Sequence, residues 1–153
     1  MPLRDLATLE KEISLYPAED SVWLSSRDVK NSAGNLCLHL GGNLPHYIGA
    51  VLGKSGYIRN RENEFSAMGI SKEKLIAEIR QTKAAVTNAL EKLNDGELGK
   101  TFPEEVFNAP MTTQYFLIHL PAQSCIAWVK SIITADCYNF TAIEFSLSLR
   151  LAI

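Results

Sequence analysis

The sequence contains only three cysteines, Cys37, Cys125 and Cys137, and no two of them have the C-x-x-C spacing typical of metal sites. An odd number of thiols without such spacing indicates free thiols in a reducing compartment. An excess of charge of one sign is also missing, because 15 basic residues face 17 acidic ones and the formal net charge is −2. This balance provides no positive field for phosphates, so it disfavours a nucleic-acid binder and a polybasic membrane binder.

Long hydrophobic runs are absent as well. No stretch approaches the ~18 uncharged apolar residues that a membrane-spanning helix needs. The first residues, MPLRDLATLEKE, alternate charge with leucine and contain no apolar leader. We therefore expect a cytoplasmic protein without a membrane partner. A length of 153 residues, 46% of them hydrophobic, predicts a single domain over residues 1–153 with one core.

Four stretches of the chain repeat apolar residues at the three- and four-residue steps of an amphipathic helix. They lie near residues 3–16, 32–52, 71–94 and 112–130. Pro17 should end the first helix, and Pro45 should kink the second. Ser71 is the predicted N-cap of the third helix, and either Thr112 or Thr113 is that of the fourth.

The connections between these helices are long. Two of them exceed the about 2–8 residues usual between antiparallel neighbours in a bundle, which permits overhand crossings. We expect Val22 and Trp23 to pin the first connection to the bundle, residues 53–66 to form an ordered surface loop, and Asn94-Asp95-Gly96 to end the third helix in a left-handed cap. The predicted fold is therefore all-α, a four-helix bundle with long crossover loops.

Three motifs stand out in this framework: LCLHLGGNLPHYIGAVLG, GYIRNRENEF and MTTQYFLIHL. With them the chain resembles the DinB-like (YfiT-like) superfamily, in its uncharacterised branch of small bacterial proteins, over about residues 3–123. The resemblance implies a four-helix bundle, commonly a homodimer. It also implies a divalent metal, nickel or zinc, held by one histidine of the second helix and an H-x3-H pair of the fourth. Better-known relatives are metal-dependent hydrolases or transferases of low-molecular-weight thiols.

The resemblance places His39 at the helix-two ligand position, whereas Gln123 and Ala127 occupy the two helix-four positions. The candidate metal ligands that the sequence offers are thus His39, His119 and Gln123. Glutamine is a poor transition-metal ligand, and a lone imidazole cannot complete a catalytic site. The predicted function is a metal-dependent hydrolase or small-thiol transferase with a degraded metal site. The alternative is a non-catalytic bundle that works through dimer contacts or through a bound small molecule.

His39, Asn43 and His46 share one face of the second helix, since they are spaced at i, i+4 and i+7. This face is either a polar stripe that lines a pocket or a solvated surface with one buried histidine. Spacing alone favours the second interpretation, and the resemblance favours a site for His39. His46 is expected at the surface, and Cys37 is expected to be a buried core thiol.

Four charged residues of the GYIRNRENEF motif, Arg59, Arg61, Glu62 and Glu64, match a loop motif of the family. The simpler interpretation is a surface ion-pair network that orders the loop, in which each pair contributes at most ~1 kcal/mol.

The tail over residues 124–153 is atypical. Its last eleven residues, IEFSLSLRLAI, alternate apolar and other residues with the period of a β-strand. If the reading frame is shifted by one base, the codons that encode Trp128 to Asn139 can also encode GQINYHRRLL followed by a glutamine or a stop. Members of the branch end their fourth helix with GQINYHRRLL. The tail is therefore interpreted as frame-shifted relative to the family. Residues 141–153 are expected to form an extended segment against the bundle or against a second copy.

Overall fold

A computed structural model describes residues 2–25, 31–106 and 109–120. This part of the chain is mostly helical and contains no β-strand beyond one isolated bridge between Thr101 and Thr112. The helices are α1 (Pro2–Leu15), α2 (Ala33–Leu44), α3 (Arg61–Ser66), α4 (Lys72–Leu90), α5 (Asp95–Leu98) and α6 (residues 113–120). A 3₁₀ turn covers Asp20–Trp23, and a π-helical segment, Pro45–Leu52, continues α2. The all-α prediction is confirmed.

Helix α4 is the centre of the packing, because it contacts α1, α2 and the π-helical segment. Each of these elements directs its apolar stripe into one common core, as the three- and four-residue spacing predicts. The buried side chains include Leu6, Leu9 and Ile13 of α1, Leu36 and Leu40 of α2, and Leu75, Ile79 and Val86 of α4. Phe116 of α6 is also fully buried.

The predicted N-caps of the third and fourth helices are confirmed. The Ser71 hydroxyl accepts a hydrogen bond from the Lys74 amide at 3.4 Å. Of the two alternatives for the fourth helix, Thr112 is the cap, since its hydroxyl accepts from the Tyr115 amide at 3.2 Å. These bonds satisfy amides that have no partner within the helix.

The prediction for the end of the third helix is wrong. Helix α4 ends at Leu90, and Asn94 starts a separate helix, α5. The Asn94 side chain accepts from the Glu97 amide at 3.1 Å, while the Glu97 carboxylate accepts from the Asn94 amide at 3.2 Å. This reciprocal arrangement is a capping box, whose N-x-x-E pattern is present in the sequence. The backbone at Asn94 is extended, with φ −109° and ψ 162°, and not left-handed.

The prediction of a loop over residues 53–66 is wrong in its second half, which forms α3. The Asn60 side chain caps this helix by accepting from the Asn63 amide at 3.1 Å. The first half remains an exposed loop, in which Gly56 adopts φ 75°. The switch from loop to helix matters because it determines where the charged residues of this segment point.

The first connection is pinned as predicted. Val22 and Trp23 are buried, and the Trp23 indole donates a hydrogen bond to the Ile70 carbonyl at 3.0 Å. Pro45 marks the point at which α2 changes into the π-helical segment, where the Gly53 amide bonds to the Ile48 carbonyl five residues earlier. None of the helices in the described ranges combines the length and apolar character needed to cross a bilayer. Gln123, Ala127 and the predicted extended segment 141–153 lie outside the described residues.

Candidate functional site

The candidate site centres on His39 of α2 and Glu64 of α3. The two helices lie side by side, and the Nδ1 atom of His39 is 2.9 Å from Oε2 of Glu64. A quarter of the His39 side chain remains exposed, whereas the Glu64 side chain is only 5% exposed. The Phe65 ring lies with its centroid 5.1 Å from that of the imidazole. His39 thus combines a contact to a buried carboxylate with partial exposure to solvent.

A second partner, Arg59, holds the Glu64 carboxylate with two hydrogen bonds. Arg59 Nε donates to Oε1 at 2.6 Å, and Nη2 donates to Oε2 at 2.8 Å. This two-point geometry is the strongest form of an arginine–carboxylate pair. The prediction that these charges form a surface network is wrong for this pair, since the Arg59 and Glu64 side chains are 10% and 5% exposed. Arg61 and Glu62 are exposed, as predicted.

Gly42 is the reason that Glu64 can be buried here. A Cβ atom at residue 42 would lie 2.7 Å from the Glu64 Cδ atom and still closer to Oε1. The missing side chain therefore creates the space that the carboxylate fills. Asn35, two turns earlier on α2, secures α3 by donating from its amide nitrogen to the carbonyls of Glu64 and Ala67, at 3.2 and 3.0 Å.

The third nitrogen of the Arg59 guanidinium, Nη1, also has a partner. Nη1 donates to Oδ1 of Asn43 at 3.2 Å, and Asn43 is itself buried. The guanidinium carbon lies 5.9 Å from the centre of the Tyr47 ring, within the range of a cation–π contact. The arginine is therefore fixed on three sides, by Glu64, Asn43 and Tyr47.

These contacts determine the charge state of the ion pair. Burial by itself would raise the pKa of Glu64, but the hydrogen bonds and charges of Arg59 and His39 outweigh it and hold this pKa below its usual value. The hydrogen bond to Glu64 raises the pKa of Arg59. The pair is thus ionised on both sides, and its charges cancel.

The ionised carboxylate fixes the position of the proton on His39. A carboxylate only accepts hydrogen bonds, so the proton between Oε2 and Nδ1 belongs to Nδ1. Arg59 Nη2 also lies 3.3 Å from Nδ1, but a protonated nitrogen cannot accept a bond from it. In the neutral ring the other nitrogen, Nε2, therefore keeps its lone pair. That nitrogen can accept a hydrogen bond or bind a metal ion.

The other sequence-predicted residues are distributed differently. His46 is partly exposed, and its Nε2 lies 3.3 Å from Oε2 of Glu104, so it belongs to another part of the surface. His119 lies on α6 with its ring nearly parallel to that of Tyr115, at a centroid distance of 6.3 Å. Cys37 is buried as predicted, and burial, followed by the charge of Glu78, raises the pKa of its thiol to about 12.

A complete metal site is not found in the part of the chain that the structure describes. Within residues 2–25, 31–106 and 109–120, no three His, Cys, Asp or Glu side chains lie where they could share a metal ion. Gln123 is outside these ranges, so the set of His39, His119 and Gln123 stays a prediction. The roles of Arg59 and Asn43 at the site were missed, because Arg59 and Glu64 were assigned to the surface and Asn43 meets the site only through Arg59.

Residues 4–110 match a family described as a protein of unknown function, DUF1572. The chain belongs to this family. Among solved structures, a DinB-like protein from Bacillus cereus resembles it with a TM-score of 0.68 and 14% sequence identity, over 88% of this chain and 86% of that one. At this identity the likeness shows the fold alone, which confirms the DinB-like helical fold. No curated protein matches the chain.

The matched part of this DUF1572 protein contains all members of the hydrogen-bonded cluster: His39, Asn43, Arg59 and Glu64. His119, by contrast, lies beyond residue 110. The cluster that the structure shows is therefore built entirely from the segment that assigns the chain to its family.

Proposed function

We propose that this protein is a DinB-like bundle whose site at His39 was built for metal-assisted chemistry on a small substrate, hydrolysis or thiol transfer, and is now degraded. The supporting observation is the contact between His39 Nδ1 and Glu64. Metal-ligating histidines almost always donate their second ring N–H to a carboxylate or a carbonyl, which orients the ring. His39 has this second partner, although the described residues do not assemble a full set of metal ligands around it.

The residues that the structure describes around His39 do not fit a complete divalent centre. A catalytic zinc site takes three protein ligands, and among the described residues His39 lies in no group of three metal-ligating side chains. The sequence adds only His119 and Gln123, and an amide oxygen binds transition metals weakly. We therefore assign no reaction step to a metal ion here. The chain itself contributes an imidazole whose Nε2, with the proton on Nδ1, accepts a hydrogen bond from a small ligand.

Metal content tests this proposal. The full chain, purified without chelators, is analysed for nickel and zinc and then titrated with each metal by calorimetry. We expect much less than one tightly bound metal per chain, with weak binding that His39→Ala abolishes. His46→Ala is the matched control, because it removes a histidine of the adjoining π-helical segment and should change nothing. One nickel or zinc per chain that survives dialysis would contradict a degraded site and indicate an intact metalloenzyme.

The second candidate is a non-catalytic protein that works as a homodimer. It is favoured by four exposed apolar side chains in the segment of the chain that carries Arg59 and Glu64, namely Tyr57, Ile58, Phe65 and Met68. Ile58 is 90% exposed, and exposed apolar side chains that form a patch mark interaction surfaces.

Light scattering coupled to size exclusion tests the dimer. We expect the chain to elute as a dimer and Ile58→Glu to elute as a monomer. Ile118→Glu, at a 68% exposed position of α6, is the control and should leave the dimer intact. A monomeric parent chain would exclude this candidate.

A further inference from the structure

The Glu64 carboxylate has two different neighbours on the same oxygen. Oε2 accepts from Arg59 Nη2 at 2.8 Å and lies 2.9 Å from His39 Nδ1. The Arg59 fork therefore sets both the plane of the carboxylate and the direction in which Oε2 meets the imidazole. Arg59 itself does not need to touch a ligand to influence the site.

The position of Arg59 is determined by more than its ion pair. Asn43 Oδ1 and the Tyr47 ring hold the far side of the guanidinium, and both residues belong to the continuous helix formed by α2 and the π-helical segment. His39 lies on the same continuous helix. The arginine thus connects two points of this helix, through Asn43 directly and through Glu64 to His39.

We propose that Arg59 is a positioning residue that holds His39 in the Nδ1–H tautomer through Glu64, so that the Nε2 lone pair faces the ligand. This inference rests on the proposed role of His39 as the ligand-facing group. Without Arg59 the buried carboxylate loses its two strongest hydrogen bonds and its orientation. The imidazole is then free to place its proton on Nε2, which turns an acceptor into a donor.

The test is a long-range proton–nitrogen NMR correlation on the nitrogen-labelled full chain, with no metal or substrate added. Spectra are recorded near pH 8.5, about two units above the ordinary pKa of histidine. His39→Gln assigns the His39 signals among those of the three histidines. In the parent chain we expect Nδ1 in the protonated range and Nε2 in the unprotonated range.

In Arg59→Ala we expect the Nδ1 signal of His39 to move towards the unprotonated range and the Nε2 signal to move towards the protonated range. Arg59→Lys keeps the charge but not the two-point fork, so its shifts should lie between those of the parent and of Arg59→Ala. Arg61→Ala is the matched control, since Arg61 is exposed and only two residues away, and it should leave the His39 signals unchanged.

Should Arg59→Ala fail to fold, Glu64→Gln tests the same connection from the other side. Its amide can donate to Nδ1, so we expect it to lose the Nδ1–H tautomer as well. Its own matched control is Glu62→Gln at an exposed position.

The proposal is wrong if the parent chain shows the Nε2–H tautomer or protons on both nitrogens. It is also wrong if folded Arg59→Ala or folded Glu64→Gln keeps the parent signals. The spectra need no metal, so this test is independent of the metal analysis. If the tautomer is as expected but the purified chain retains one metal ion, this inference is supported and the degraded site is contradicted. If the chain retains no metal but the tautomer is not as expected, only this inference is contradicted.

Discussion

Gly42 and Gly41 are adjacent glycines in α2, and replacing each with alanine should change stability by very different amounts. At residue 42 the new Cβ would lie 2.7 Å from the Glu64 Cδ atom, inside van der Waals contact. Glu64 is fixed by Arg59, His39 and the docking of α3, so it cannot yield without breaking its ion pair. At residue 41 the new Cβ would lie 2.9 Å from the Cγ atom of Glu78. Glu78 is half-buried and has no hydrogen bond to the described residues, so its side chain can turn away.

The magnitude follows from two terms. Glycine to alanine in a helix interior stabilises by about 1 kcal/mol. Separating a buried ion pair costs about 3–5 kcal/mol. Gly42→Ala should therefore lower the free energy of unfolding by about 2–4 kcal/mol, which corresponds to a Tm decrease of roughly 5–15 °C for a chain of this length. Gly41→Ala should change the free energy of unfolding by less than about 1 kcal/mol in either direction. The cost of turning the Glu78 side chain away offsets the stability that alanine adds to the helix.

Urea unfolding followed by far-UV circular dichroism measures both variants against the parent chain. The difference between the two variants is the quantity that matters, since the chemical change and the helix are the same. If Gly42→Ala proves as stable as Gly41→Ala, then Glu64 is not held against α2 as described, and the explanation for its burial is refuted.

Three other outcomes can be checked by similar means. Thr82→Val should stabilise the protein by about 1 kcal/mol, because the buried Thr82 hydroxyl has no hydrogen-bond partner in the described structure, and urea unfolding that shows a loss instead would contradict this. Burial raises the pKa of Glu78 in the folded state, so the folded state holds the Glu78 proton more tightly than the unfolded chain does. The free energy of unfolding therefore falls as pH rises from about 4.3, the usual glutamate pKa, through the raised pKa. Glu78→Gln should therefore match the parent near pH 4 and melt higher at pH 7–8, and equal Tm values at both would refute the sign. Truncation after Asn139 should reduce the free energy of unfolding by less than ~3 kcal/mol, and a larger loss would show that the tail is a native part of the fold.

The helices illustrate which properties are encoded locally. Ser71, and Thr112 as one of two alternatives, were recognisable as N-caps because a cap bonds to an amide three residues further along the same chain. The stripe through Leu75 and Ile79 was recognisable because burial follows the helical period. The start of α5 at Asn94 was equally local. It was assigned to the wrong helix end because Asn-Asp-Gly suits a left-handed cap as well, and the Glu97 that completes the capping box was not weighed against it.

The candidate site shows what a sequence pattern leaves undecided. His39 was predicted from its motif, yet the same motif could not place Arg59 and Glu64. The alternation of charges in RNRENE is the same whether the residues are in water or buried. Their burial depends on a gap at Gly42 and on a hydrogen bond from Asn35, which is separated from Glu64 by 29 positions.

By itself, then, the sequence determined the helical stripes and the Ser71 cap, because period and capping act within a few residues, whereas His39 was singled out by the family resemblance. Only the tertiary structure decided that Glu64 is a buried partner of His39 and not a surface charge. The physical reason is that the pKa of a carboxylate and the strength of its ion pair depend on how much water surrounds it. That quantity is set by the packing of α3 against α2 and not by the residues beside it in the chain.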